Sequence, residues 1–514
     1  KEADMKFWRL VFSRLTIIAL FLLIQLIIFF VFTLSLSEFF IPYQIASLIV
    51  GLIVFLKIIN TYGPPEHKIP WIAAVLVMPL FGVFLYFIFH KNRPSRPQRK
   101  AFQKIEEQTV AYLEESHEPQ RHADQLEQLG DAAGQSCHLY QATGMGAYSD
   151  TKSTYYPTGE AFWEALLVDL KRAKHFIFLE YFIIEEGRMW DAILEILREK
   201  AEAQLDVRVM YDDLGSISKV SSKYDRKLRS YGINCVKFNP FRPILSAVHN
   251  NRDHRKIAVI DGVIGYTGGA NLADEYINET HPFGIWKDAA LRLEGEGVKS
   301  LTMMFLQNFD FSTGRFDRFE DYLPKSEPSF RDCGWVQAFG DGPKPWSEEQ
   351  VGENAYLNLI NQAKHKLYVM TPYLIADHTL MNALILAARR GVDVRVVTPH
   401  IPDKRAVYWL TRSNYAPLIE GGVKIYEFTP GFIHSKVMLS DDTAIVGTIN
   451  LDYRSLVHHF ECGVWLHRTP SVIDIGRDFQ ETFSVCTLQT EESAKLSFPA
   501  RIMASLIKIF AVLF

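Results

Sequence analysis

His254-Arg255-Lys256-Ile257-Ala258-Val259-Ile260-Asp261 and, 180 residues further on, His434-Ser435-Lys436-Val437-Met438-Leu439-Ser440-Asp441 share one skeleton, HxKxxxxD. Each is trailed by GxxN: Gly268-Gly269-Ala270-Asn271 in the first copy and Gly447-Thr448-Ile449-Asn450 in the second. Residues 257–260, then Asp261-Gly262, then 263–267 read as a β-hairpin with an Asp-Gly turn. On a strand, positions i and i+2 face one side, so His254 and Lys256 point together, as do His434 and Lys436. The tails differ by one residue: Asn271 follows Asp261 by ten positions and Asn450 follows Asp441 by nine. A longer first hairpin would absorb the difference.

The duplication extends upstream. Ala173-Lys174-His175 recurs as Ala363-Lys364-His365, and each leads into an apolar strand pattern. A helical stretch follows, 189–200 in one copy and 380–390 in the other. Asp206-Val207-Arg208-Val209 then matches Asp393-Val394-Arg395-Val396, and Phe238-Asn239-Pro240 matches Phe428-Thr429-Pro430. Strand, helix and strand in alternation predict an α/β fold, with helices on a mainly parallel sheet. Turn-rich 340–345 marks the boundary between copies. The first copy carries about ten extra residues near 241–250, with Ile244, Leu245 and Val248 apolar and Arg242 among them. This insertion is expected to border the site and touch lipid, or to be a plain surface loop.

Of 514 residues, 48% are hydrophobic and 22% charged, which excludes wholesale disorder. A net charge of −4 excludes a nucleic-acid binder that works by overall charge. The five cysteines are scattered without a CxxC pair, which gives no zinc framework and suits a reducing compartment. Apolar residues crowd the start: 15–36 and 69–89 are uncharged, and 41–59 holds only Lys57. About 20 apolar residues cross a bilayer, so each stretch is a transmembrane candidate and a multi-pass membrane protein is expected. Basic residues precede the first stretch (Lys1, Lys6, Arg9, Arg14) and follow the third (Lys91, Arg93, Arg96, Arg99, Lys100). Placing both flanks in the cytoplasm requires an even number of crossings. Either one stretch is re-entrant or the N-terminal flank lies outside; the stronger cluster favours a cytoplasmic body.

The resulting division is a membrane region with two or three helices at 1–95, a charged connector at 96–147, α/β domains at 148–340 and 341–496, and an amphipathic helix at 497–514. The connector reads as solvated, with one helix near 101–115. At the C-terminus Arg501, Ser505 and Lys508 share one face, while Met503, Leu506, Phe510 and Leu513 line the other. That helix is too short to span and suits either a lipid interface or the soluble body.

Brought together across a pseudo-twofold interface, the two motifs supply two His, two Lys and two Asn. Two ammonium groups and two amides can stabilise the charge that builds on a phosphodiester under attack. One neutral imidazole can attack phosphorus, and the other can protonate the leaving alkoxide and then deprotonate the incoming hydroxyl. Histidine suits both tasks because its ordinary pKa is about 6.5. With no HExxH and no DxDxDG loop, no metal or other cofactor is expected.

The doubled motif resembles the phospholipase D superfamily. Together with the apolar start, Leu179-Glu180-Tyr181-Phe182, Arg252-Asp253-His254-Arg255-Lys256, Thr267-Gly268-Gly269-Ala270-Asn271 and Asn450-Leu451-Asp452-Tyr453-Arg454-Ser455, it is similar to the bacterial cardiolipin synthases of that superfamily. The resemblance implies two tandem phospholipase-D-like domains about a pseudo-twofold axis, preceded by transmembrane helices. It implies a transfer between two phosphatidylglycerol molecules that yields cardiolipin and glycerol through a phosphatidyl-histidine. The catalytic motif residues are then His254, Lys256 and Asp261 with His434, Lys436 and Asp441, the two aspartates carrying over as residues that orient the site. His254 is expected to be the nucleophile and His434 the acid/base, although the sequence is symmetric on this point. Asn271 and Asn450 carry over as phosphate donors, Asp288 and Glu461 as carboxylates that orient the histidines. The implied partners are these lipids and a membrane, with no nucleic acid and with a homo-oligomer left open. A phospholipase D releasing phosphatidic acid and a non-enzymatic membrane scaffold are the alternatives.

Overall fold

The computed structural model describes residues 23, 27, 31, 37–63, 65–90, 95–116, 118–240, 250–324, 330–331, 333–344, 346–347 and 349–509. The apolar stretch 15–36 falls almost wholly outside the described residues, and so do insertion residues 241–249, Arg242 included. The chain divides into two compact units: a smaller one containing residues 1–93, and a larger one formed mainly by 94–240 and 250–504.

In the smaller unit, α1 (Ser37–Asn60) is apolar on all sides, and over Ile41–Asn60 it is long enough to cross a membrane. No other described helix reaches that length and apolarity. The stretch 69–89 departs from the expectation of a single span. It is divided between α2 (Pro65–Val77) and α3 (Pro79–Phe89), broken at Met78, whose φ of −143° and ψ of 78° are non-helical. Pro79 causes the break, because a proline ring disfavours the α conformation in the residue before it. The two helices fold back, so that the Trp71 and Tyr86 rings meet at 5.8 Å. Gly82 permits the close approach; a Cβ there would lie 2.4 Å from the Ala74 carbonyl.

The larger unit holds two mixed sheets. The first contains β1 (Lys152–Tyr156), β2 (Phe176–Tyr181), β3 (Asp206–Asp212), β4 (Asn234–Phe238), β5 (Lys256–Ile260), β6 (Ile264–Gly268) and β7 (Ala290–Glu294). The second contains β8 (Trp335–Asp341), β9 (Lys366–Met370), β10 (Asp393–Pro399), β11 (Lys424–Phe428), β12 (Val437–Ser440), β13 (Thr443–Gly447), β14 (His459–His467) and β15 (Cys486–Leu488). The orders are β1-β7-β6-β5-β2-β3-β4 and β8-β14-β13-β12-β9-β10-β11-β15, one plan written twice. Among these strands β2-β3-β4 and β9-β10-β11 run parallel and the other neighbours antiparallel, which corrects the expected mainly parallel sheet. The cause is local: a tight hairpin after each HxK strand can return only antiparallel.

The hairpins explain the unequal spacing of the asparagines. Ile260 pairs with Ile264 across three loop residues, whereas Ser440 pairs with Thr443 across two. Asp261 (φ 54°) and Gly262 (φ 70°) both take the left-handed conformation at the longer turn.

One apolar core runs through both repeats, from Phe178, Ile257 and Leu291 to Leu439, Val446 and Val464. Helix Val298–Thr313 is buried along most of its length within it. The connector is packed rather than solvated. Its three helices, Arg96–Glu115, Glu118–Leu129 and Ala133–Thr143, bury Ile105, Thr109 and Tyr112, and Leu139 joins the core of the second repeat. That i, i+4, i+7 stripe is too narrow to stand out in so charged a segment. At the far end, Phe498–Lys508 is helical and exposes Phe498, Ile502, Met503 and Leu506.

Candidate active site

Two short cross-repeat ladders build the site. Arg252–Asp253 pairs in parallel with the start of β14, matching Asp253 with Phe460. Gly431–Ile433 pairs in parallel with Ile285–Lys287, matching Ile433 with Lys287. In each ladder the next residue is a histidine on one strand and a carboxylate on the other. His254 N–H donates to the Phe460 carbonyl at 2.9 Å, and His434 N–H to the Lys287 carbonyl at 2.7 Å. Each repeat thereby delivers its histidine to the other repeat's acid.

The side chains complete that exchange. His254 Nδ1 lies 2.9 and 3.0 Å from the two Glu461 oxygens, and His434 Nδ1 lies 2.7 Å from Asp288 Oδ2. All four residues are buried. A carboxylate at Nδ1 fixes the proton there and leaves the Nε2 lone pair free for chemistry. The acids are supported unequally. Thr448 donates its hydroxyl to Glu461, while Gly269, its counterpart, leaves room for Asp288; a Cβ at Gly269 would fall 2.0 Å from Asp288 Oδ1.

Lys256 Nζ donates to the His254 carbonyl at 2.6 Å, and Lys436 Nζ lies 2.8 Å from His434 Nδ1 and donates to the His434 carbonyl. Burial lowers the Lys256 ammonium to about 8 and the Lys436 ammonium to about 7. Burial, reinforced by Lys256 and Lys436, holds His254 well below its ordinary value. Burial and Lys436 take His434 down to about 4, against the pull of Asp288. Asp288 itself sits below its usual range despite its burial, through His434 and Lys436. At neutral pH both imidazoles are therefore neutral.

The two motif aspartates do not sit in this cluster: the structure places them at the far ends of the hairpins. Asp261 lies five positions beyond Lys256, about 16 Å of extended chain. The Asp261 carboxylate accepts from the backbone N–H groups of Lys174, His175 and Phe176 at 2.8, 2.7 and 2.9 Å. Asp441 does the same for Lys364, His365 and Lys366 at 2.7, 3.0 and 3.0 Å. Each aspartate fastens the hairpin to the start of the neighbouring strand and fixes the register of the HxK strand.

The asparagines also differ from each other. Asn271 accepts from Ile183 N–H at 3.0 Å and donates to Tyr276 Oη at 2.7 Å, which ties it into its own repeat. Tyr276 in turn packs edge-on against His434 at 5.5 Å. Asn450 is buried, and its side-chain oxygen has no hydrogen bond among the described residues.

Sequence reasoning missed the rings that flank the histidines. Trp286 and Phe432 lie 5.3 and 6.0 Å from His434, while Phe182 and His459 lie 5.1 and 5.4 Å from His254. The signal was available, because Trp286-Lys287-Asp288 and His459-Phe460-Glu461 occupy equivalent places in the repeat.

Burial lowers His459 to about 3, so three buried histidines near the site stay neutral when folded and protonate on unfolding. The unfolded chain binds more protons below its ordinary histidine pKa of about 6.5, so stability falls as pH drops from there toward the folded values. The slope is up to about 1.4 kcal/mol per pH unit for each histidine. Melting temperature should fall more steeply between pH 7 and pH 5 in the wild type than in His459→Asn, a comparison that cancels the carboxylates. Equal slopes would refute the assignment.

Comparison with known proteins agrees with this geometry. A family model described as "Cardiolipin synthase, PLD-like domain" matches residues 166–289 and 356–483, one match per repeat. A cardiolipin synthase of Alkalihalophilus pseudofirmus is 34% identical over 85% of this chain and 86% of its own. Cardiolipin synthase 2 of Bacillus anthracis is 34% identical over 85% of this chain and 84% of its own. The chain belongs to the cardiolipin synthase family of phospholipase-D-like proteins. An uncharacterized protein of Streptococcus mutans is 40% identical over 89% of this chain and 99% of its own. In fold, the crystal structure of a Haemophilus influenzae phosphatidylserine synthase superposes with a TM-score of 0.57 at 16% identity, covering 74% of this chain and 96% of the other.

Proposed function

We propose that this protein is a membrane-bound phosphatidyltransferase that makes cardiolipin and glycerol from two phosphatidylglycerol molecules. The observation that carries this reading is the crossed pair: two neutral histidines, each held at Nδ1 by a carboxylate of the opposite repeat. His254 Nε2 attacks phosphorus and the glycerol oxygen leaves, giving a phosphatidyl-histidine. The terminal hydroxyl of a second phosphatidylglycerol then attacks that phosphorus and releases His254. His434 supplies a proton to the departing alkoxide and takes one from the incoming hydroxyl. In the free protein His434 is neutral, so the anionic substrate itself must raise its proton affinity; a phosphodiester beside an imidazole does so by direct attraction. The same anion holds the charge on Lys256 and completes it on Lys436, and both then stabilise the equatorial oxygens together with Asn450.

Two features support His254 as the nucleophile. Its proton affinity is strongly depressed, and Lys256 bonds its carbonyl rather than its ring. The first apolar stretch, α1 and the α2–α3 turn-back fit a membrane anchor in which the third stretch is re-entrant and the catalytic repeats lie on the cytoplasmic side. The exposed apolar face of Phe498–Lys508 fits a lipid interface.

The deciding experiment supplies labelled phosphatidylglycerol to the purified protein in bilayers with a chelator present. Cardiolipin and glycerol are expected in equal amounts. Phosphatidic acid as the main product would make the protein a phospholipase D, and absence of both would leave a scaffold.

A further inference from the structure

His459 has no part in the proposed transfer, yet its ring lies 5.4 Å from that of His254. It is buried, and neither ring nitrogen is hydrogen-bonded among the described residues. Its Nδ1 lies 3.5 Å from Glu461 Oε1, the carboxylate that also stands 2.9 Å from His254 Nδ1. One donor atom from each of His254, His459 and Glu461 lies within 4.8 Å of the others. Tetrahedral zinc, with bonds of about 2.0–2.2 Å, needs donors about 3.3–3.5 Å apart, so small side-chain movements suffice. Two imidazoles and one carboxylate are also a donor set that zinc uses when a fourth position stays open. The opposite half of the site lacks the third ligand. There Trp286 stands where His459 stands here, beside His434 and Asp288.

We propose that His254, His459 and Glu461 form a binding site for a borderline-soft dication of the zinc class, whose occupancy switches off His254. The binding follows from the donor set alone; the switching-off rests on the proposed role of His254. A neutral imidazole carries one ring proton. While Glu461 accepts that proton from Nδ1, Nε2 keeps the lone pair that attacks phosphorus. An ion on Nδ1 takes that lone pair instead, so the proton resides on Nε2 and the nucleophile is lost. No bond to substrate forms or breaks, and chelation restores the original tautomer. A hard ion such as magnesium prefers oxygen donors and should not compete.

Calorimetric titration of the chelator-stripped full chain in detergent with zinc chloride tests the site without reference to turnover. One zinc per chain is expected, with affinity at least about tenfold weaker in His459→Asn, since even a ligand's hydrogen-bond partner commands that much. His459→Gln and the zinc-induced rise in melting temperature guard against a variant that fails to fold. Equal zinc affinity in wild type and both variants, or no saturable binding in the wild type, would overturn the site. In the lipid assay zinc should inhibit the wild type, EDTA should restore it, and His459→Asn should stay active at the same zinc concentration. Binding that depends on His459 but leaves the wild type fully active would keep the ion site and overturn the role given to His254.

Discussion

Asparagine at position 254 should abolish turnover and covalent lipid together, whereas asparagine at 434 should abolish turnover and leave lipid bound to the protein. The difference arises because, in the proposed mechanism, the two imidazoles serve different steps. Without the His254 ring there is no nitrogen to accept the phosphatidyl group, so labelled phosphatidylglycerol leaves no acid-labile, base-stable label on the protein. Without His434 the attack by His254 lacks only proton donation, and the intermediate, once formed, lacks a base to activate the second alcohol. In a catalytic unit of this kind, loss of one member costs about four orders of magnitude or more in rate. Asparagine keeps a polar side chain of modest size in a buried place, so the fold should persist. Covalent label in His254→Asn with none in His434→Asn would exchange the two roles.

That each histidine and its lysine lie close together could be read from the sequence because the placement rests on local spacing: i and i+2 on a strand share a face whatever the rest of the fold does. Local spacing said nothing about Asp261 and Asp441, whose role came from the resemblance. HxKxxxxD looks like one contiguous site, but a strand extends about 3.3 Å per residue and carries its far end away from the histidine. The aspartates recur because each hairpin must be fastened to its neighbour, which is an equally local requirement. The crossed carboxylates were reached through resemblance alone, since parallel pairing between segments about two hundred residues apart leaves no local pattern. His459 was missed although its place in the repeat matches that of Trp286, because nothing local marks either ring as facing a histidine. In the apolar N-terminal unit composition was legible and connectivity was not: one proline after Met78 turned an apparent span into a folded-back pair.

Neutralising each carboxylate without removing it should separate its role from that of its histidine. In Glu461→Gln the amide can present either end to His254 Nδ1. When the NH₂ group faces the ring, the imidazole must carry its proton on Nε2, where it blocks attack. A comparable aspartate-to-asparagine change in a protease triad costs about 10⁴-fold through this tautomer effect, so a loss of about 10²–10⁴-fold is expected here. Formation of phosphatidyl-histidine, followed in a single turnover, should slow by the same factor. Asp288→Asn should act at the other histidine, impairing proton transfer to glycerol. A phosphatidyl ester of p-nitrophenol distinguishes the two cases, because its leaving group departs without a proton. With that substrate the first step in Asp288→Asn should recover most of its rate, while Glu461→Gln stays slow because its defect lies in the nucleophile. A purely structural role for the acids would slow both substrates equally in both variants. Recovery in Glu461→Gln rather than Asp288→Asn would assign the nucleophile to His434, in agreement with the exchanged outcome for the histidines themselves. The crossed ladders give the reason for expecting both acids to matter: each belongs to one repeat and bonds the histidine of the other, so neither repeat holds its histidine's carboxylate partner alone.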